Sequence, residues 1–206
     1  MRVGVLFERT GRVREAFRAE GHDAWSVDLQ PAEDDSTYHI QDDVANHLTG
    51  WDLVIAHPPC TLLSKAGARW MHPGGKPNIN PLRYNRMLEA REMFFSVLNC
   101  DAPMICVENP TPLSIAGLPA YDQKVQPWMF GDPWTKRTLL WLKGLPYLAP
   151  TDIVHPRGSW VPSNTGGASR NQKKQAGESR SRGQRSETFQ GMAKAMASQW
   201  GKEWSS

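Results

Sequence analysis

Short apolar runs alternate along this chain with segments of helical periodicity, and this alternation limits the possible folds more than any other feature. Arg2–Phe7 and Ala24–Asp28 have the composition of buried strands, and Gly11–Glu20 between them places its apolar residues on one side of a helix. A strand, a helix and a second strand in this order form a βαβ unit with two parallel strands. The opening of the chain therefore predicts an α/β protein.

The alternation continues over most of the sequence. Three further apolar runs predict strands: Leu53–Ala56, Pro103–Val107 and Arg137–Leu142. Helical spacing after Pro81 predicts a long crossover helix, and Ser186 is the expected cap of a last helix that ends near Trp200. Pro31–Asp43 and Gly67–Pro81 have the polar, broken composition of loops. We expect one Rossmann-like domain with a mostly parallel sheet and helices on both faces.

Composition bounds the class of protein. A length of 206 residues with 39% apolar residues fits one globular domain. No apolar stretch reaches the roughly 20 residues of a membrane span, and no signal peptide is evident, so we expect a cytoplasmic protein without a membrane partner or an evident obligate protein partner. Three cysteines without paired spacing predict reduced thiols and no metal site, with Cys100 and Cys106 in the core.

Positive charge is concentrated in a basic stretch near the C-terminus. Between Arg170 and Arg185, six basic residues oppose one acid, Glu178, although the net charge of the chain is only +3. The polar, glycine- and serine-rich composition predicts a mobile loop. Such a loop suits a phosphate backbone, with Arg170, Lys173 and Lys174 as candidate contacts. The alternative is a solvated surface tail with no specific role.

His57-Pro58-Pro59-Cys60 directly follows the predicted strand Leu53–Ala56. It places a thiol at the carboxyl end of a strand, where open α/β sheets bind their ligands. The two prolines fix φ and remove two backbone donors, so the turn is stiff. A nucleophilic Cys60 needs a cation to favour its thiolate, and His57, Lys65 and Arg69 are close in sequence. The alternative is a core cysteine, because free cysteine is among the most buried residue types.

Two carboxylates are expected at the same edge of the sheet as Cys60. Asp28 ends the second strand, where a carboxylate can bind ribose hydroxyls, and Phe7–Gly11 forms the preceding turn. With one glycine, this turn does not suit a pyrophosphate, but it is compatible with an adenosyl cofactor or with a plain tight turn. Glu108 follows an apolar strand, and partial burial should raise its pKa and let it donate a proton. Its alternative role is to cap the turn at Asn109-Pro110.

These motifs resemble a known family. Pro58-Pro59-Cys60, followed by Ser64 and Gly67, is similar to the signature of the cytosine-5 DNA methyltransferases. The resemblance covers roughly residues 2 to 144, and the combination of Pro-Pro-Cys with Glu-Asn is its specific part. Further segments agree in order: Phe7–Gly11 resembles the cofactor loop, Asp28 the ribose acid, Asp42-Asp43-Val44 the adenine-side acid, Glu108-Asn109 the Glu-Asn dipeptide, and Phe130–Arg137 the Tyr-Gly-x-Pro segment with its following arginines.

The resemblance implies an enzyme with a Rossmann-like methyltransferase domain, a DNA (cytosine-5-)-methyltransferase that uses S-adenosyl-L-methionine. Cys60 would add to carbon 6 of cytosine, and Glu108 would hold the ring nitrogen 3. The implied cofactor-binding residues are Phe7, Thr10, Gly11, Asp28, Asp43 and Pro58. The implied partner is DNA, as a duplex with a flipped cytosine or as a single strand. Ser64, Arg69, Lys136 and Arg137, with the basic stretch, are its candidate contacts.

The chain departs from the family in four respects. Arg9 occupies the place of the first glycine, the arginine pair is shifted to Lys136-Arg137, and Pro110 follows the Glu-Asn dipeptide. In place of the family's sizeable target-recognition domain, the chain offers only about Pro150–Gln184. We expect a methyltransferase core at residues 1–149, a basic loop at 150–185 and a C-terminal helix at 186–206 that packs on the core. Such a compact, phage-like member would act in the host cytoplasm if it is phage-encoded.

Two alternatives stay open. The short recognition region allows the same chemistry on a free cytosine nucleotide, or with another alkyl donor. Arg9 and the basic stretch instead allow a catalytically silent DNA-binding relative of the methylases.

Overall fold

A computed structural model describes residues 1–75, 77–160 and 187–202. The strands of this described part are β1 (Arg2–Leu6), β2 (Asp23–Asp28), β3 (His39–Gln41), β4 (Leu53–Ala56), β5 (Met104–Asn109), β6 (Gln123–Val125), β7 (Trp134–Thr135), β8 (Thr138–Lys143) and β9 (Gly158–Ser159). The α-helices are α1 (Arg12–Ala19), α2 (Cys60–Leu63), α3 (Ala68–Met71), α4 (Pro81–Leu98) and α5 (Gln190–Trp200).

Seven strands form one sheet in the order β3-β2-β1-β4-β5-β8-β6. The first five are parallel, and β8 runs antiparallel to both of its neighbours. After β1, the chain adds β2 and β3 on one side of that strand. It then adds β4 and β5 on the other side. The strand order thus reverses between β1 and β4, which is where open α/β sheets bind ligands. The prediction of a Rossmann-like, mostly parallel sheet is confirmed.

Helices cover both faces of this sheet. On one face, Val13 and Phe17 of α1 pack with Met196 and Trp200 of α5 against alternate residues of the central strands. On the other face, α4 packs with α2 and α3, and Phe94 of α4 is fully buried. The central strands therefore have apolar side chains on both sides, as their continuous apolar runs require.

Local sequence explains where the helices begin. The Asn80 side chain accepts a hydrogen bond from Arg83 N (3.1 Å) and Pro81 is the first residue of α4, which confirms the predicted crossover helix. The helix α5 begins at Gln190 with Phe189 at its cap position. Ser186, the expected cap, and the basic stretch Arg170–Arg185 lie outside the described residues.

Two segments interpreted as loops contain regular elements, so those predictions were wrong in part. Within Pro31–Asp43, β3 pairs with β2 at the edge of the sheet, where backbone hydrogen bonds form without an apolar side-chain pattern. Within Gly67–Pro81, α3 is stabilised by burial of Met71, a single apolar anchor that gives no periodic signal. No helix of the described residues is long and apolar enough to cross a membrane.

Candidate active site

Three neighbouring strands bring an acid, a histidine and a second acid to one edge of the sheet. The register aligns Leu6 of β1 with Ala56 of β4, and Ala56 with Val107 of β5. His57 and Glu108 therefore follow side by side, and Glu8 lies one residue further along from the end of β1. The two glutamates are only 4% and 8% exposed, and the His57 side chain is 13% exposed. Buried ionisable groups in contact are typical of functional sites.

His57 and Glu108 form a direct pair, with 2.9 Å between Nδ1 and Oε2. The Thr188 hydroxyl, just before α5, lies 3.5 Å from the same ring nitrogen. His57 Nε2 is buried and has no hydrogen-bond partner among the described residues. The Glu8 carboxylate accepts hydrogen bonds from Val13 N (2.7 Å) and Arg14 N (3.1 Å), and so caps α1.

These contacts shift the pKa values of His57, Glu108 and Glu8. Burial by itself lowers the pKa of His57, but the hydrogen bond and charge of Glu108, together with the charge of Glu8, raise it overall. Burial favours a higher pKa for Glu108, yet the hydrogen bond and charge of His57 hold that pKa below its ordinary value. The predicted rise for Glu108 is therefore wrong, because its partner is a cation. Burial raises the pKa of Glu8.

Cys60 is the first residue of α2 and is half-buried. Burial raises the pKa of its thiol, the charge of Lys136 opposes this rise, and the charge of Glu108 adds to it. Lys136 therefore supplies the cation that the sequence led us to expect from His57, Lys65 or Arg69. All three cysteines are free thiols, and Cys100 and Cys106 are buried, which confirms their core placement.

Backbone hydrogen bonds fix the Cys60 turn beside the Glu108 turn. Residues 63–65 pair with residues 111–113 through Lys65 N to Thr111 O (2.9 Å) and Leu113 N to Leu63 O (2.7 Å). From α4, the Arg83 guanidinium donates to Thr61 O (2.6 Å). A side chain at Gly67 would collide with this same carbonyl oxygen, so the turn requires glycine there. The turn that follows the thiol and the turn that follows the carboxyl are thus hydrogen-bonded to each other.

The ends of β1, β2 and β3 form the second half of the same edge. Phe7 and Gly11 both have positive φ (61° and 69°), and strain at a non-glycine residue such as Phe7 is common at functional sites. Asp28 Oδ1 accepts a hydrogen bond from Gln30 N (2.8 Å), and Oδ2 has no hydrogen-bond partner in the described part of the chain. Asp43 is exposed and accepts a hydrogen bond from Ala45 N (3.0 Å).

These residues fit an adenosyl group. A ribose needs a carboxylate oxygen that can accept hydrogen bonds from its hydroxyls, and Asp28 Oδ2 meets that need. Thr10 is half-buried, and Pro58 is buried on the neighbouring strand end. Arg9 points across this region and pairs with Gln30 and Glu33, so its charge is compensated within the turn.

The candidate DNA contacts occupy different environments. Arg69 is exposed and stacks on Trp70, 4.4 Å from the ring centroid, and Arg137 is exposed as well. Lys136 points inward and donates to Glu187 O (2.9 Å). Ser64 is fully buried, so its hydroxyl lies away from any surface a phosphate could reach without movement of the turn. Arg170, Lys173 and Lys174 lie outside the described residues.

A cleft of about 430 Å³ borders this centre. Its lining comes from the start of α1, from the segment before α5 and from the β7–β9 pair: Arg12, Asp132, Trp134, Trp160, Glu187, Phe189 and Gln190. Arg12 donates to Glu187 Oε2 (2.7 Å) and to Thr188 O (2.9 Å), so the cleft and the His57–Glu108 pair share one wall. The described residues contain no group of three or more His, Cys, Asp or Glu side chains that could hold a metal.

Sequence reasoning missed Glu8 and Thr188 and did not connect His57 with Glu108. Glu8 follows an apolar strand just as Glu108 does, and that signal was present. The missing information was the order of strands in the sheet, because His57 lies between the two acids only when β4 lies between β1 and β5.

No protein-family model matches the chain, and no curated protein matches it. Among solved structures, it is similar to an E. coli protein described as a candidate DNA modification methyltransferase encoded within a prophage, with 16% identity, a TM-score of 0.46 and coverage of 75% of this chain and 52% of that one. It is also similar to the Entamoeba histolytica methyltransferase EhMeth, with 12% identity, a TM-score of 0.45 and coverage of 81% and 61%. The chain thus spans little more than half the length of these structures.

Proposed function

We propose that this protein transfers a methyl group from S-adenosyl-L-methionine to carbon 5 of cytosine in DNA, through a covalent adduct on Cys60. The observation that carries the proposal is the connected pair of turns that hold Cys60 and Glu108 together at the carboxyl edge of the sheet. The Asp28 carboxylate, suited to a ribose, lies at the same edge. The resemblance of these segments to the cytosine-5 family supports the same assignment.

The chemistry needs both side chains, because carbon 5 of cytosine is a poor nucleophile until a group adds to carbon 6. The thiolate of Cys60 adds there, and the electron pair of the 5,6 double bond moves toward nitrogen 3. Glu108 binds the ring at nitrogen 3 and the amino group and stabilises the developing enamine. After methyl transfer, water takes the carbon 5 proton, the 5,6 double bond forms again, and the bond between carbon 6 and sulfur breaks to release the Cys60 thiolate. Lys136 favours the thiolate form by its charge.

The bound cofactor would supply an electrophilic methyl group to the activated ring. Asp28 would accept hydrogen bonds from its ribose, and Asp43 would lie on the adenine side. Phe7, Thr10, Gly11 and Pro58 would form the surrounding turns.

The surface next to Cys60 favours a polymer over a free nucleotide. Residues 60–88 contain five basic residues and no acid. Within that segment, Trp70 is 56% exposed with Arg69 stacked on its ring, and Leu82 is 74% exposed. Such cations bind phosphates, and the exposed aromatic rings beside them stack on unpaired bases. This arrangement supports DNA as the partner.

Covalent trapping tests the proposal. With S-adenosylmethionine, DNA that contains 5-fluorocytosine should become attached to the wild-type protein, because fluorine at carbon 5 blocks the last step. Cys60→Ala should abolish the attachment, and Cys100→Ala, which changes a buried thiol just beyond the C-terminal end of α4, is the matched control. Mass spectrometry of a cytosine oligonucleotide and of free dCMP would identify the product. Absence of attachment and of methylated product with every cytosine substrate would contradict the proposal.

A catalytically silent DNA-binding protein is the second candidate. It is favoured by the charges of the site, since burial raises the pKa of Cys60 and His57 keeps Glu108 ionised. Stable DNA binding by the wild type without any attachment would select this function instead.

A further inference from the structure

We propose that His57 is a positioning residue that stores the proton which Glu108 delivers to nitrogen 3 of the target ring. The inference rests on the proposed function and extends it to a residue outside the thiol and carboxyl pair. It assigns a task to the side chain that the structure places between two buried acids.

The geometry at Nδ1 supports this assignment. Nδ1 lies 2.9 Å from Oε2 of Glu108, a distance across which a proton can pass. Nε2 is buried without a partner among the described residues, so in that part of the chain the close hydrogen bond of the ring is the one to Glu108. The ring itself is fixed by its place between the end of β4 and the rigid Pro58-Pro59 turn.

Charged groups face His57 from each element packed against it. Glu108 approaches from β5 and Glu8 from the end of β1, and both favour the imidazolium. Lys136, from the segment before β8, opposes it, and the neutral Thr188 hydroxyl completes the surroundings. With two acids against one cation, the resting pair is an imidazolium and a carboxylate. The ionised Glu108 has no proton of its own to donate.

The proton balance closes within this group. When the Cys60 sulfur bonds to carbon 6, the ring electron pair moves to nitrogen 3. The Nδ1 proton passes to Glu108, the resulting carboxyl protonates nitrogen 3, and His57 becomes neutral. When the adduct breaks down, nitrogen 3 returns its proton to Glu108, and Glu108 returns it to Nδ1. No external acid is consumed, and the carbon 5 proton leaves separately to water.

His57→Asn is the sharpest test, because the amide nitrogen of asparagine lies near the position of Nδ1 and can donate a hydrogen bond but not a proton. The wild-type attachment rate at saturating DNA and cofactor should rise with pH as Cys60 ionises and then fall as His57 loses its proton. His57→Asn should be slower near neutral pH by roughly 10- to 100-fold and should lack the falling limb. His47→Gln is the matched control, since His47 forms a second histidine–carboxylate pair, 2.8 Å from Asp42.

An NMR titration of the ¹⁵N-histidine-labelled wild type gives a readout that needs no turnover. We expect a protonated His57 Nδ1 with a pKa above the ordinary histidine value, and Glu108→Gln should lower that pKa. A neutral ring throughout the neutral range, or an unaltered pH profile in His57→Asn, would overturn the inference even if Cys60 forms its adduct. Failure of trapping with a protonated, Glu108-coupled His57 would instead count against the proposed function alone.

Discussion

The two halves of the carboxyl edge of the sheet are built in opposite ways. At the ends of β4 and β5, Glu108 is buried, most of the His57 side chain is covered, and the two are paired with each other. At the ends of β2 and β3, Asp28 is half-buried and Asp43 is exposed, and both are held by backbone N–H groups. One half excludes water from its charges, and the other leaves carboxylate oxygens accessible.

Under the proposed function, the buried half would carry the reaction and the accessible half would bind the cofactor. Charges removed from water act strongly on one another, which is what proton transfer and stabilisation of a developing charge require. A site that exchanges a small cofactor after each turnover has to stay accessible. Glu8 joins the halves, because it follows β1 but its charge acts on His57 in the buried half.

Glu108→Gln should have the largest effect, and that effect should be confined to the buried half. Glutamine cannot pass a proton to nitrogen 3, so the attachment rate should fall by about 10²- to 10³-fold. The affinity for S-adenosylmethionine, measured by calorimetry, should stay within about twofold of the wild type. An equal loss of cofactor affinity would show that the two halves are not independent.

Asp28→Asn should produce the reverse pattern. It removes a charged acceptor for the ribose hydroxyls, and hydrogen bonds to charged groups contribute about 1.5–3 kcal/mol, or roughly 10- to 100-fold in Kd. The attachment rate at saturating cofactor should be close to that of the wild type. Asp101→Asn, in the exposed turn before β5, is the matched control. A Kd unchanged from the wild type would remove Asp28 from the cofactor site.

The contrast between the halves also explains what the sequence could reveal. The apolar runs predicted the parallel sheet and the placement of Asp28, Cys60 and Glu108 at strand ends, because side chains at strand ends follow directly from the strands. The ionisation of Glu108 could not be predicted, since it depends on His57, which is 51 residues away in sequence. The cation near the thiol came from Lys136, beyond β7, for the same reason. Local patterns identify the groups, and tertiary packing sets their charges.

Glu8→Ala tests the residue that joins the halves through its effect on stability. The substitution leaves two backbone N–H groups at the start of α1 without their acceptor, so the free energy of unfolding should fall by about 1–2 kcal/mol. Urea unfolding at one pH measures this change. Glu20→Ala, at the exposed C-terminal end of the same helix, should cost less.

The stability difference between the wild type and Glu8→Gln, measured against pH, shows whether the buried charge of Glu8 stabilises or destabilises the folded state. Burial raises the folded-state pKa of Glu8 above its unfolded value, so its contribution to stability is present at low pH and is lost as the pH rises through the folded pKa. The wild type should therefore lose stability relative to Glu8→Gln between acidic and neutral pH. A stability difference that is constant with pH would mean that Glu8 has the same pKa in the folded and unfolded states.

The smallest effect should come from Lys136→Met, which changes one charge near the thiol. Burial raises the pKa of Cys60, so alkylation by iodoacetamide should increase with pH beyond the range of an ordinary thiol. Without the opposing charge of Lys136, the pKa of Cys60 should rise further, and alkylation at mildly alkaline pH should slow by a few-fold, as located by peptide mass spectrometry. Lys136→Arg should restore the rate because it keeps the charge, and Lys124→Met on the exposed side of β6 is the control. If Lys136→Met and Lys136→Arg behave alike, Lys136 acts through its hydrogen bond to Glu187 O, and its charge does not set the reactivity of the buried half.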